Sequence, residues 1–177
     1  ASLIVFAALL ARLPQLAQAS TTTTYTVPVL SPSWITGILS DEVGTAGILV
    51  EKLTPSGQTA TVTCSLGHLY ALTHRGSEVY EPVFYSQYLG CARIASGDRN
   101  GDGVRELYVA TQDQRLLILD GDDFQQLRAL SLPVVDPIED LAVGDVDNDG
   151  AAEVVLVTQY STLVYNAVTL ALEWDAQ

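Results

Sequence analysis

Two nine-residue runs, Asp98-Arg99-Asn100-Gly101-Asp102-Gly103-Val104-Arg105-Glu106 and Asp145-Val146-Asp147-Asn148-Asp149-Gly150-Ala151-Ala152-Glu153, spell D-x-[DN]-x-D-G-x-x-E at a spacing of 47 residues. Oxygen donors at alternate positions of a tight loop suit a hard cation, Ca²⁺ above all. The glycine after the third acid lets the chain turn where a Cβ would clash. Each run leads directly into an apolar, β-forming stretch, Leu107-Tyr108-Val109-Ala110 or Val154-Val155-Leu156-Val157. An EF-hand loop starts with a similar pattern but needs a bidentate carboxylate at position twelve and a helix on either side. Position twelve here is Val109 or Leu156, the flanks are strand-like, and the late carboxylate sits at position nine. EF-hand and dockerin-type loops are excluded.

The repeat reaches beyond the acidic runs. At the same 47-residue offset Gly97 meets Gly144, Thr111 meets Thr158, Gln112 meets Gln159 and Leu116 meets Leu163, without a gap. One further step back puts Leu69 under Leu116, and Tyr80 under Leu127 and Trp174. It also puts Thr59–Cys64 under the strand that follows each acidic loop, while the loop itself has degenerated to Glu51-Lys52-Leu53-Thr54-Pro55-Ser56-Gly57-Gln58. Each unit reads as four short strands; in the clearest copy they are Arg93–Ser96, Glu106–Thr111, Leu116–Leu119 and Leu127–Leu130. The Asp120-Gly121 pair supplies a turn after the third, because Asp-Gly favours positive φ. Helical periodicity is missing after residue 20. The expected fold is all-β, made of β-propeller blades, each a four-stranded antiparallel repeat of 47 residues. A sandwich or β-solenoid is the alternative use of such strands.

The run Gly-Asp-x-[DN]-x-Asp-Gly-x-x-Glu before an apolar strand resembles the FG-GAP/VCBS repeat of integrin α-chain propellers and many secreted bacterial proteins. The resemblance covers about Ala46 to the C-terminus, strongly in two repeats and weakly in the first. Ser96-Gly97 and Val143-Gly144 stand where Phe-Gly would be, which is closer to the bacterial form and gives no basis for an integrin-like ligand. The resemblance implies two Ca²⁺ sites. Asp98, Asn100, Asp102 and Glu106 would supply side-chain oxygens with the Val104 carbonyl, and Asp145, Asp147, Asp149 and Glu153 would do so with the Ala151 carbonyl. The alternating spacing supports the same assignment. Mg²⁺ fits an all-protein cage of this size less well.

The expected organisation is a signal peptide over 1–19, a linker and entry strand over 20–43, a degenerate blade over 44–90, and calcium-loop blades over 91–137 and 138–177. The apolar run Ala1–Ala11 and the Ala17-Gln18-Ala19 site carry the first of these expectations; the run is too short to span a membrane alone. Three blades do not close a ring, since propellers use roughly four to eight. The chain is therefore expected to be the N-terminal portion of a longer, here incomplete propeller, with assembly of short chains as the alternative. The formal net charge of −13, of which two divalent ions would offset four, disfavours nucleic acid and anionic membranes as partners. Two cysteines, Cys64 and Cys91, suit one disulfide in a secreted protein or two buried thiols.

Catalytic motifs are missing: there is no G-x-S-x-G, H-E-x-x-H, P-loop or G-x-G-x-x-G after a strand. His68 and His74 read as strand and turn residues of the degenerate repeat. Tyr25, Tyr70, Tyr80, Tyr85, Tyr88, Tyr160 and Tyr165 offer either a carbohydrate-stacking face or half-buried blade packing. The function expected is a secreted or cell-surface, calcium-binding, non-catalytic module for a protein or carbohydrate ligand. The alternatives are part of a secreted propeller enzyme, such as a polysaccharide lyase, or a structural subunit.

Overall fold

The computed structural model describes residues 43–53, 57–75 and 79–176; the expected signal peptide, nearly all of the expected linker, and Thr54–Ser56 of the degenerate loop lie outside them. The described residues form twelve strands and no helix. They are β1 (Val43–Lys52), β2 (Thr59–Ser65), β3 (His68–Arg75), β4 (Val79–Tyr85), β5 (Cys91–Gly97), β6 (Glu106–Thr111), β7 (Arg115–Leu119), β8 (Gln126–Ser131), β9 (Ile138–Gly144), β10 (Glu153–Thr158), β11 (Thr162–Asn166) and β12 (Leu172–Ala176). Three four-stranded antiparallel sheets result, each taking its strands in chain order, β1–β4, β5–β8 and β9–β12. First strands adjoin, β1 beside β5 and β5 beside β9, while β8 and β12 form exposed outer edges. These are propeller blades.

The apolar runs are continuous because the middle sheet is covered on both faces. Leu107, Val109, Leu117 and Leu119 pack with Val62, Cys64, Leu69 and Ala71 of the first sheet. Their neighbours Tyr108, Ala110, Leu116 and Ile118 point the other way, into Leu141, Val154, Leu156, Leu163 and Tyr165 of the third. Every residue from Leu107 to Ala110 is fully buried, and a Leu or Val so enclosed contributes about 1.5–3 kcal/mol. Close approach requires glycine at two points, between the second and third blades at Gly97 and between two loops of the middle blade at Gly121. A Cβ on Gly97 would lie 2.3 Å from Val143 Cγ1, and one on Gly121 would lie 2.0 Å from the Arg105 carbonyl oxygen. The second of these corrects the turn expectation: Gly121 has no positive φ, which falls instead at Phe124 (φ 61). Gly121 is needed for space, not for its dihedral freedom.

Leu69, Leu116 and Leu163 all lie buried in third strands, as the repeat spacing predicts. The gapless alignment nevertheless slips by one residue. Leu117 pairs with Val109, whereas Leu163 pairs with Leu156, the residue equivalent to Val109. So Leu163 takes the place of Leu117 and faces back toward the middle sheet. The cause is turn length. Gln112-Asp113-Gln114 spans the middle hairpin, closed by Thr111 Oγ1 accepting from the Arg115 amide at 3.0 Å, whereas Gln159-Tyr160 alone spans the third, with the Thr158 amide bonded to the Ser161 carbonyl. The slip continues into the fourth strand, where Trp174 opposes Val164 as Arg128, not Leu127, opposes Ile118.

Cys64 and Cys91 form a disulfide between β2 and β5, with Cα atoms 5.9 Å apart and a separation of 27 positions in sequence. It joins the first blade, which lacks an intact acidic loop, to the second. Closing a loop of that length restricts the unfolded chain by about 3–4 kcal/mol in the chain-entropy picture. The double variant Cys64→Ala/Cys91→Ala is expected to lose about 2–4 kcal/mol in urea unfolding, with the loss matched in the wild-type protein by reductant.

Candidate metal centre

Each acidic loop joins the first strand of its sheet to the second. Asp98 follows Gly97 at the end of β5, and Glu106 opens β6; Asp145 follows Gly144, and Glu153 opens β10. The first aspartate folds the loop by accepting backbone N–H groups. Asp98 Oδ1 takes the Gly101 amide at 2.7 Å and Oδ2 the Gly103 amide at 2.9 Å. Asp145 Oδ1 and Oδ2 do the same for Asn148 at 2.7 Å and Gly150 at 3.1 Å. The third acid caps the next turn, Asp102 accepting from Val104 at 2.8 Å and Asp149 from Ala151 at 2.7 Å. Gly103 (φ 86) and Gly150 (φ 93) occupy the left-handed region, as do Gly101 (φ 75) and its equivalent Asn148 (φ 64). Asparagine is among the few side chains that tolerate that conformation. Burial works the other way, yet the amides of Gly103, Gly101, Asn100 and Asp102 hold the Asp98 carboxyl below its ordinary pKa.

The ninth residue closes the loop from beneath. Glu106 Oε2 accepts the Arg99 amide at 2.9 Å, and Glu153 Oε2 accepts the Val146 amide at 2.8 Å. Both glutamates are buried. Their second oxygens differ. Glu106 Oε1 faces the Arg99 guanidinium at 3.5 Å, an ion pair of the loop's own. Glu153, only 1% exposed, has no partner for Oε1. Position two of the loop is Arg99 in one copy and Val146 in the other, and that single difference accounts for the contrast. In the same loop, carboxylate oxygens of Asp145, Asp147 and Asp149 lie within 4.8 Å of one another, a set that does not include Glu153. Oxygens sharing one Ca²⁺ at 2.3–2.6 Å are at most about 5 Å apart, so this set fits the ion. In the other loop, Asn100 turns its amide nitrogen to Asp102 at 2.9 Å, which lowers the demand for a cation further.

The degenerate loop has put its remaining acid to another use. Glu51 Oε2 accepts from Arg105 Nε at 2.9 Å and from the Ser96 hydroxyl, and Arg105 Nη2 also reaches the Ser96 carbonyl at 3.1 Å. The Leu53 carbonyl takes the Arg105 amide at 2.7 Å, and the Leu53 side chain joins the core between the first two sheets. No sequence signal distinguished this clasp from a solvated glutamate.

Residues 72–156, a stretch that contains both acidic loops, match the FG-GAP-like repeat. No curated protein matches the sequence. Among solved structures, the Neurospora crassa Pan2 WD40 domain superposes with a TM-score of 0.53 at 12% identity, covering 75% of this chain and 35% of its own. A europium-containing methanol dehydrogenase gives 0.51 at 15% identity, covering 73% and 24%. BBS1N in complex with ARL6DN gives 0.50 at 15%, covering 73% and 42%. The likeness is one of fold, to β-propellers, and the chain spans less than half the length of each.

Burial raises the pKa of Glu153 above its ordinary value; the Val146 amide opposes this, and the charges of Asp147, Glu173 and Asp149 add to it. Folded Glu153 therefore holds its proton more tightly than in the unfolded chain. Its contribution to stability falls as pH rises from the usual glutamate range through the raised value. Glu153→Gln is expected to raise metal-free stability at pH 7 by about 1 kcal/mol, because a neutral amide replaces an unpaired buried charge, with no gain at pH low enough to protonate the wild-type carboxyl. Thermal unfolding in EGTA across that pH range reads the difference.

Proposed function

We propose that the protein is a secreted or cell-surface, non-catalytic propeller module that binds Ca²⁺ in its two acidic loops and presents blade loops to an extracellular protein or carbohydrate. The calcium reading rests above all on the three clustered aspartates Asp145, Asp147 and Asp149, with Glu153 Oε1, a buried carboxylate oxygen without a hydrogen-bond partner, within reach of the charges of Asp147 and Asp149. A buried unpaired charge costs several kcal/mol unless something neutralises it, and a divalent cation at that point would do so. Asp145, Asp147, Asp149, Glu153 and the Ala151 carbonyl would hold one ion; Asp98, Asn100, Asp102, Glu106 and the Val104 carbonyl would hold the other. The extracellular setting is supported by the Cys64–Cys91 disulfide, a bond that persists in oxidising compartments.

The two sites are unequal. The Asp145 loop carries four carboxylates in its sequence, three of them clustered, and no cationic side chain, while the Asp98 loop carries three, a neutral Asn100, and Arg99 already beside Glu106. Calorimetric titration is expected to resolve a tighter and a weaker site. Asp149→Ala abolishes the tighter, Asp102→Ala abolishes the weaker, and Arg99→Val strengthens the weaker. Glu51→Ala leaves the stoichiometry at two. At an extracellular-type affinity of about 10⁻⁴–10⁻³ M, millimolar Ca²⁺ adds roughly 0.5–1.5 kcal/mol of stability per site. Three comparable sites, or none, would refute the assignment.

A further inference from the structure

Away from the acidic loops, one part of the described surface gathers aromatic rings. His68 opens β3, Tyr70 follows it, Tyr85 ends β4, and Tyr88 lies on the segment leading to β5. The His68 and Tyr85 rings stack with centroids 5.1 Å apart, Tyr88 meets His68 edge-on at 5.7 Å, and Tyr70 supports Tyr85 from beneath at 4.9 Å. Tyr70 is buried, but Tyr85 is 56% exposed and Tyr88 65%. We propose that the exposed rings of Tyr85 and Tyr88, both braced by His68, form a stacking platform for a neutral carbohydrate chain. The proposal rests on the binding-module reading above and names its ligand class, but it does not depend on the calcium loops.

The rings are placed before any ligand arrives. A Cβ on Gly67 would lie 2.5 Å from Tyr88 Cε2, so glycine leaves the room that ring occupies against the β2–β3 hairpin. The hairpin is a two-residue turn with both central residues at positive φ, Leu66 at 49 and Gly67 at 78, the geometry of a type I′ turn. The Tyr88 hydroxyl donates to Gln112 Oε1 at 3.4 Å. The His68 ring is tied through Nδ1 to the Ser86 carbonyl at 3.1 Å. Rings fixed in this way lose little entropy on binding, and tyrosine combines a flat apolar face with a polar tip at low rotamer cost.

The chemistry and size select the occupant. A pyranose presents an apolar C–H face bordered by hydroxyls, which matches the exposed parts of the Tyr85 and Tyr88 rings with their hydroxyls and the exposed Gln112 amide bonded to Tyr88. No residue of the cluster carries a carboxylate, ammonium or guanidinium group, so a neutral sugar fits better than an anionic one. Two or three rings of 150–250 Å² each amount to a few hundred Å², below the roughly 1,000 Å² of a stable protein interface but enough for one or two sugar units.

The test is retention of the full chain on insoluble neutral polysaccharides such as cellulose, chitin and β-glucan. The wild type is expected to be retained on at least one. Tyr85→Ala and Tyr88→Ala should each weaken retention about tenfold, and Gly67→Ala should do so by displacing the Tyr88 ring. Tyr160→Ala, an equally exposed tyrosine on the third sheet, should leave it unchanged. Thermal unfolding of each variant shows whether the fold is intact. No retention of the wild type, or equal retention of a folded Tyr85→Ala/Tyr88→Ala variant, overturns the platform, as does binding only to an immobilised protein. Calcium titration of the same variants separates the two readings: lost retention with unchanged calcium uptake supports the platform, and it does so even if no calcium is bound.

Discussion

The structure depends on the burial of both faces of its middle sheet. β6 sits between two neighbours, and its four central side chains alternate between two hydrophobic clusters without reaching solvent. A strand in that position has no polar face, so its sequence shows no alternation and its register is set by what lies on either side. Repeating one sheet design then becomes nearly obligatory. Each sheet must present to the next a surface that matches what it received from the one before, and the close approach of Gly97 to Val143 leaves little room for deviation.

Within that frame the acidic loops are the most rigidly specified pieces of local structure. Backbone amides turn inward to the first aspartate, the glycine or asparagine at position four takes a left-handed conformation, and the ninth residue reaches back under the loop to the second amide. This network folds the loop through the protein's own hydrogen bonds, which explains why both copies share one geometry. What it leaves unresolved is charge. In the first copy Arg99 compensates from within the loop; in the second nothing does, and Glu153 Oε1 is left alone in the interior. Two loops with one shape therefore have different electrostatic needs.

Much of this was legible in the sequence. The 47-residue spacing locates the second strand of every sheet, since β2, β6 and β10 open at Thr59, Glu106 and Glu153. It failed where turn length changed, because removing one hairpin residue turns every following side chain to the opposite face while leaving the composition untouched. Leu163 is the clearest case. Asp120-Gly121 looked like a positive-φ turn because the dipeptide favours one, yet its glycine answers to a carbonyl from another loop, a contact separated in sequence that no local pattern encodes. The disulfide was open for the same reason, since pairing depends on where two strands of different blades come together. The Arg99–Val146 contrast, by comparison, was written in the motif, but its meaning required knowing that position two sits beside the ninth residue's carboxylate.

The degenerate first loop shows how the same junction is held once the ligand set is gone. Its remaining acid, Glu51, no longer turns inward to a loop of its own but reaches across to Arg105 and Ser96 of the next blade, while the Leu53 carbonyl holds the Arg105 backbone. The pair is about one-third exposed on each side, so solvent screens it and it contributes modestly, as partly exposed ion pairs do. Leu53 in the core and the Cys64–Cys91 bond do more. The first junction is thus secured by apolar packing and a covalent link, and the second by packing together with hydrogen bonds from Arg93 Nε to the Glu139 carbonyl and from Arg128 Nη2 to the Val168 carbonyl, beside the two acidic loops. A cation taken up by those loops would act next to the junction that has no cross-link of its own.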